Sequence, residues 1–304
     1  MKEWKTSLTL LVAAVLVGLN ALVLGRLLDL GPPPRLAPAA AVPADRRPVV
    51  RVGVISRYAP SLTYDRYQPI MDYLSSRGSY RYELRLSATY EDAAQQLHRG
   101  DVVASFFGTW IYARLGPRLG LEPVLAPRNE EGGTNFHAAL VVPTASRIAR
   151  VADLAGRRVA LPSRFSFAGN WLAAEALPAA GLSLANLDSV HHFEYHQTVV
   201  HRVLAGEFDA GVVREAVAQE FEGHGIRVIA RTGPFPGPPL VAPADNPHPA
   251  VAEMTRLLLA LDPRRPPDAE LMRGWTREFA HGFVAVNART YESVVRIQSV
   301  QATP

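Results

Sequence analysis

One short pattern occurs twice in this chain. Leu97-His98-Arg99-Gly100-Asp101-Val102-Val103-Ala104 and Leu204-Ala205-Gly206-Glu207-Phe208-Asp209-Ala210-Gly211-Val212-Val213 both read as a helix end, a glycine, an acid and an apolar strand. Each strand runs directly into a turn and a further helix, at Gly108-Thr109-Trp110-Ile111-Tyr112 and at Arg214-Glu215-Ala216. A repeated element of this kind predicts two similar α/β lobes rather than one continuous sheet or a helical bundle.

From Val49 onward, short apolar strands alternate with amphipathic stretches, as in a parallel or mixed sheet covered by helices. Strands are predicted at Val49 to Ile55, at Tyr82 to Leu86, at Phe136 to Val142 and at Val159 to Leu161. Helices are predicted at Asp65 to Arg77, Glu91 to Arg99, Val251 to Leu261, Asp268 to Ala280 and Thr290 to Val300. The chain returns to its first half through Leu240 to Ala242. This divides it into one lobe of residues 49–137 and 240–304 and a second of 138–239. Two segments crossing between lobes form a hinge, and a hinge implies a cleft.

Residues 1–30 differ in character. Lys2 and Lys5 precede an uncharged run from Thr6 to Gly25 that ends at Arg26, which reads as a signal peptide or an N-terminal membrane anchor. The run exceeds the usual signal core and approaches the ~20 residues that cross a bilayer, which favours an uncleaved anchor. Residues 31–48, with prolines at 32–34, read as an extended tether. With no cysteine among 304 residues, a disulfide framework, a thiolate metal site and a cysteine nucleophile are excluded. The net charge of +4 comes from scattered arginines without interleaved aromatics, which gives no nucleic-acid footprint.

The segment Ser163-Arg164-Phe165-Ser166-Phe167-Ala168-Gly169-Asn170 lies between an apolar strand and a helix predicted to open at Asn170. Strand, small-residue loop and helix N-terminus together make a socket for an anion or polar ligand, because first-turn N–H groups lack intrahelical acceptors.

The order of these features resembles the phosphate, phosphite and phosphonate binding proteins of ABC uptake systems, within the two-lobed (type II) periplasmic binding proteins. It is carried by Arg51-Val52-Gly53-Val54, the Gly-Asp-strand element at 100–107, Gly108 with Tyr112, and Asp153-Leu154-Ala155-Gly156-Arg157-Arg158-Val159-Ala160. It continues through the loop at 163–169, His196 opening a helix, Gly206 with Asp209-Ala210-Gly211, and Gly282-Phe283. The resemblance implies a non-enzymatic extracytoplasmic receptor that closes two lobes over a small oxyanion. Such a receptor serves an ABC permease or a sensor kinase, with no cofactor.

Family members that bind phosphonates present Ser-Thr-Ser-Gly at the helix start, where this chain has Ser166-Phe167-Ala168-Gly169. Two hydroxyls are lost, each worth about 1.5–3 kcal/mol to a charged ligand. The acid that often follows the Asp-Ala-Gly strand in the family is replaced by Arg214, which disfavours an aminophosphonate. A signalling or scaffold subunit with an altered or lost ligand site is the alternative.

The residues expected to bind the ligand are Ser166, Gly169 and Asn170 at the helix start, His196, Tyr112, Arg164 as a compensating cation, and Tyr58, with Tyr64 not distinguished from it. Phe165 and Phe167 either line a more apolar pocket or pack beneath the loop. His191, His192, His196 and His201 lack same-face spacing and accompanying carboxylates, so no metal site is expected. No acid/base pair, P-loop or dinucleotide fingerprint points to an enzyme.

Overall fold

A computed structural model describes residues 14–20, 45–245 and 247–301 of the protein. Residues 14–20 form a helical segment. The rest of the apolar run at Thr6 to Gly25, and residues 31–44 of the expected tether, lie outside the described residues. No helix among the described residues is long and apolar enough to cross a membrane.

The first sheet has the strand order β13-β4-β12-β3-β1-β2. Its strands are β1 (Val49–Val54), β2 (Arg81–Leu86), β3 (Ala104–Phe106), β4 (Leu121–Pro127), β12 (Leu240–Pro243) and β13 (Phe283–Ala285). Its helices are α1 (Pro60–Arg77), α2 (Tyr90–His98) and α3 (Thr109–Leu115). The second sheet has the order β10-β6-β9-β7-β8. It comprises β6 (Ala138–Pro143), β7 (Arg158–Leu161), β8 (Ser189–His192), β9 (Ala210–Arg214) and β10 (Ile226–Arg231). Its helices are α4 (Phe167–Trp171), running on through a π-helical turn into α5 (Leu177–Ala179), then α6 (His196–Leu204) and α7 (Glu215–Phe221). The chain ends with α8 (Pro249–Leu259), α9 (Pro266–Arg273) and α10 (Glu292–Gln301).

The two sheets share a pattern. In the first, β1 lies parallel between β2 and β3, and β12 runs antiparallel to β3. In the second, β7 lies parallel between β8 and β9, and β6 runs antiparallel to β9. β12, with which the chain re-enters the first sheet, thus matches β6, the strand it contributes first to the second. The repeated sequence element occupies equivalent places, α2 into β3 and α6 into β9. Gly100 and Gly206 both end their helices with positive φ, at 75° and 73°, where a side chain would be strained. Gly211 serves close packing instead, since a Cβ there would come within 2.6 Å of a Val199 methyl on α6.

Both sheets are covered on two faces, so their central strands are apolar throughout rather than alternating. In β6, Leu140 and Val142 join a core with Val159, Leu161 and Val212, while Val141 joins Val199, Val203 and Val213 on the other side. The crossing segments meet in a two-stranded antiparallel ribbon, β5 (Asn135–Phe136) with β11 (Phe235–Pro236).

Three helix boundaries differ from expectation by more than two residues. Helix α1 opens at Pro60 rather than Asp65, with a proline in its first turn. The helix predicted to open at Asn170 opens at Phe167, because the Ser166 side chain caps it by accepting from the Gly169 N–H. The helix predicted through Ala280 stops at Arg273, with Gly274 at its C-cap. The irregular chain beyond it places Trp275 and Phe279 in the first core.

Candidate ligand-binding site

The parallel strands of both sheets end at a common cleft, the usual position of ligands in open α/β sheets. Arg57 follows β1, Thr109 opens α3 after β3, Ser166 caps α4 after β7, and Arg214 ends β9. These residues line one small cavity of about 30 Å³ together with His196, and its apolar walls include Ile55, Phe167, Phe235 and Pro238.

At the centre lies a buried charge cluster. Glu278 Oε1 accepts from Arg57 Nη1 at 3.1 Å and from Arg214 Nη1 at 2.7 Å. Arg57 Nη2 also donates to the Tyr67 hydroxyl, and the Arg214 guanidinium lies 5.1 Å from the centre of the Phe136 ring. Burial opposes ionisation of Glu278, but Arg214 and Arg57 outweigh it and hold its pKa down to about 2. The carboxylate is therefore charged at neutral pH.

Two guanidinium nitrogens, Arg57 Nε and Arg214 Nη2, are buried and have no hydrogen-bond partner among the described residues. An unpaired buried donor is costly, so such atoms mark a place where an acceptor belongs.

His196 complements them. Burial, then the nearby Arg214 and Arg57 charges, lower its pKa to about 3, so the ring is neutral. The Arg214 backbone N–H donates to His196 Nδ1 at 3.2 Å, which places the ring proton on Nε2 as a donor. The Ser166 oxygen is engaged by the Gly169 N–H at 2.9 Å, leaving its hydroxyl hydrogen free to donate elsewhere. The amides of Phe167 and Ala168, first in α4, have no intrahelical acceptor. The Thr109 hydroxyl is already committed, donating to the Pro236 carbonyl at 2.6 Å.

The other expected residues are placed around the cavity rather than in its wall. Gly169 is held so close to the Ser163 and Pro162 carbonyls that no side chain fits. The Asn170 amide donates to the Arg164 and Ser166 carbonyls at 2.7 and 2.8 Å, bracing the loop. Arg164 is exposed. Tyr112 is buried edge-on to Tyr291 with centroids 5.1 Å apart, and burial pushes its hydroxyl up to about 12. Tyr58 is buried beneath Arg66, 4.2 Å from ring centre to guanidinium, and burial raises its pKa; Tyr64 is half exposed at 50%. Phe167 stacks on Phe235 at 4.0 Å, and both rings line the cavity.

Sequence reasoning missed Arg57 and Glu278 and read Arg214 only as a lost acid. One signal was available for Glu278: it is a carboxylate set among Met272, Trp275 and Phe279, which belong to the core.

Two further polar contacts join the sheets across the cleft, Ser56 Oγ donating to Glu194 at 3.0 Å and Arg66 paired with Glu220 at 2.8 Å. On the far side of the charge cluster is an outer cavity of about 370 Å³ lined by Glu278 but not by Arg57 or Arg214. The bridge thus joins residues of two cavities, Glu278 lining the outer and the two arginines the inner.

This arrangement of cleft, hinge and donors agrees with comparison at the level of whole chains. Residues 52–291 match the family described as the periplasmic substrate-binding protein of phosphonate ABC transporters. The chain belongs to that family. Its members are substrate-binding transporter components rather than an enzyme class.

Solved structures show the same fold. A binding protein component of an ABC phosphonate transporter from Pseudomonas aeruginosa superposes with a TM-score of 0.72 at 14% identity, covering 84% of this chain and 87% of that one. PhnD1 of Prochlorococcus marinus, solved with methylphosphonate, gives 0.71 at 17% identity over 84% and 99%. The periplasmic aliphatic sulphonate binding protein SsuA of Escherichia coli gives 0.55 at 16% identity over 83% and 86%. These are type II periplasmic binding proteins, and the family places its members outside the cytoplasm.

Proposed function

We propose that this protein is the solute receptor of a phosphonate-type ABC importer and that it encloses a small oxyanion in the inner cavity between its two lobes. The observation that carries this reading is the pair of unpartnered buried donors, Arg57 Nε and Arg214 Nη2. Arg57 and Arg214 line one cavity with His196 and Ser166. Arg57 belongs to the first lobe and Arg214 to the second, so an oxyanion held by both favours the closed form. Guanidinium forks suit tetrahedral oxyanions well, and they replace the hydroxyls that the loop at 166–168 has lost.

The closed receptor would deliver its solute to the membrane permease, tethered near it by the apolar run at 6–25. A second reading, a signalling subunit that closes without solute, draws on Glu278, which already bridges both arginines.

Thermal unfolding in the presence of phosphate, phosphite, methylphosphonate, sulfate and methanesulfonate tests the receptor reading. A ligand at a hundred times its Kd stabilises by about 2.7 kcal/mol. The expected result is a rise in Tm with at least one oxyanion that is lost in His196→Ala. No rise with any of them, from folded protein, refutes the reading in favour of the signalling subunit.

A further inference from the structure

Glu278 is an internal counter-ion to the two arginines that line the inner cavity. It accepts from both on one oxygen and lines the outer cavity but not the inner one, whereas Arg57 and Arg214 line the inner cavity and not the outer. With His196 neutral, two cations and one carboxylate leave a single net positive charge at the cavity. No carboxylate lines the inner cavity itself, so an ammonium group there finds no acceptor of opposite charge. The remaining wall, Ile55, Phe167 and Phe235 among others, is apolar and close.

We propose that Glu278 sets the charge of the bound solute. The inner cavity, which at about 30 Å³ holds little more than one water and has to widen as the lobes part, takes a singly charged tetrahedral oxyanion bearing one compact apolar substituent, in preference to a dianion or to a ligand carrying an ammonium group. This rests on the receptor reading above. A monoanion neutralises the enclosed cluster, while a dianion leaves an excess negative charge facing Glu278 across the arginines in a site that water screens poorly. An alkanesulfonate meets the requirement at every pH, and an alkylphosphonate meets it only while singly ionised.

Other charges lie near the cluster. Arg66, paired with Glu220, is held by α1, and Tyr58, Tyr67 and Tyr90 are buried phenols with raised pKa values. On the outer side stand His137, His281, Glu130, Glu131, Glu215, Arg128, Arg231 and Arg277. Acid–base changes in these groups act on every anion with the same sign. Methanesulfonate, singly charged throughout, therefore reports their contribution.

Titration calorimetry of the full chain with methanesulfonate and sulfate, in the wild type and in Glu278→Gln, tests the proposal. The wild type is expected to prefer methanesulfonate by at least about tenfold, and Glu278→Gln to shift the ratio toward sulfate by about tenfold or more. Equal affinities in the wild type, or a ratio that Glu278→Gln leaves unchanged, overturn it.

Should the variant not fold, wild-type affinity for methylphosphonate is expected to fall about tenfold per pH unit above its second ionisation while methanesulfonate stays level. Level affinity for both overturns the proposal. 2-Aminoethylphosphonate binding as tightly as ethylphosphonate overturns the exclusion of ammonium groups. Binding of methanesulfonate and sulfate without discrimination removes only the charge rule, whereas no binding of any oxyanion removes the receptor reading with it.

Discussion

Replacing Glu278 by alanine leaves Arg57 and Arg214 facing one another in the protein interior. Their side chains are only 3% and 10% exposed, so water can do little to solvate the released charges. Two like charges a few ångströms apart repel by about 4 kcal/mol at an effective dielectric near 20. Breaking a buried pair by removing one partner typically costs about 3–5 kcal/mol. The expected loss is therefore about 3–5 kcal/mol, which for a body of this size lowers Tm by on the order of 10 °C.

Differential scanning calorimetry of wild type and Glu278→Ala measures it. A saturating oxyanion should restore more stability to the variant than it adds to the wild type, because it supplies the missing counter-charge. Replacing all three residues by apolar ones, Arg57→Met, Arg214→Met and Glu278→Leu, should recover much of the loss, since a neutral core carries no desolvation penalty. A Glu278→Ala loss under about 1 kcal/mol, with no ligand-dependent recovery, would refute the account of the cluster as a buried, mutually dependent set.

Ser166→Ala removes both the helix cap and a hydroxyl donor at the cavity, so it should lower stability by about 1 kcal/mol and weaken oxyanion binding in the same calorimetric titration. Gly211→Ala drives a methyl into Val199 on α6 and should cost about 1–3 kcal/mol in urea unfolding, with partial recovery when combined with Val199→Ala and little change in ligand preference. Acid should destabilise the protein through two groups. Glu278, lowered from 4.5 to about 2, contributes stability that is complete above pH 4.5 and is lost as pH falls through about 2. His196, lowered from 6.5 to about 3, is buried neutral, so its contribution is complete above pH 6.5 and declines as pH falls toward about 3. Stability against urea measured from pH 7 to pH 3 should therefore fall, and by less in His196→Phe than in the wild type.

The sequence by itself determined the parts of this protein that rest on local pattern. A glycine ending a helix before an apolar strand is a short-range signal, and its repetition at Gly100 and Gly206 was enough to read two α/β halves. Ser166 was read as part of a loop before a helix expected at Asn170, and its role as the cap came only from the structure; His196 entered through the resemblance to the family. The charge cluster was not legible.

Arg57 and Glu278 are 221 positions apart and Arg214 and Glu278 are 64 apart, and each looks like one more charged residue on a soluble surface. A buried ion pair follows no periodicity, because its stability depends on the partner that the fold delivers. Tertiary structure alone decided that Arg164, within the loop, faces solvent while Arg57 and Arg214 line the cavity. It also moved Tyr112 and Tyr58 into packing roles, since residues after parallel strands share one end of a sheet, but which of them reach the cleft depends on how the neighbouring helices fill the space.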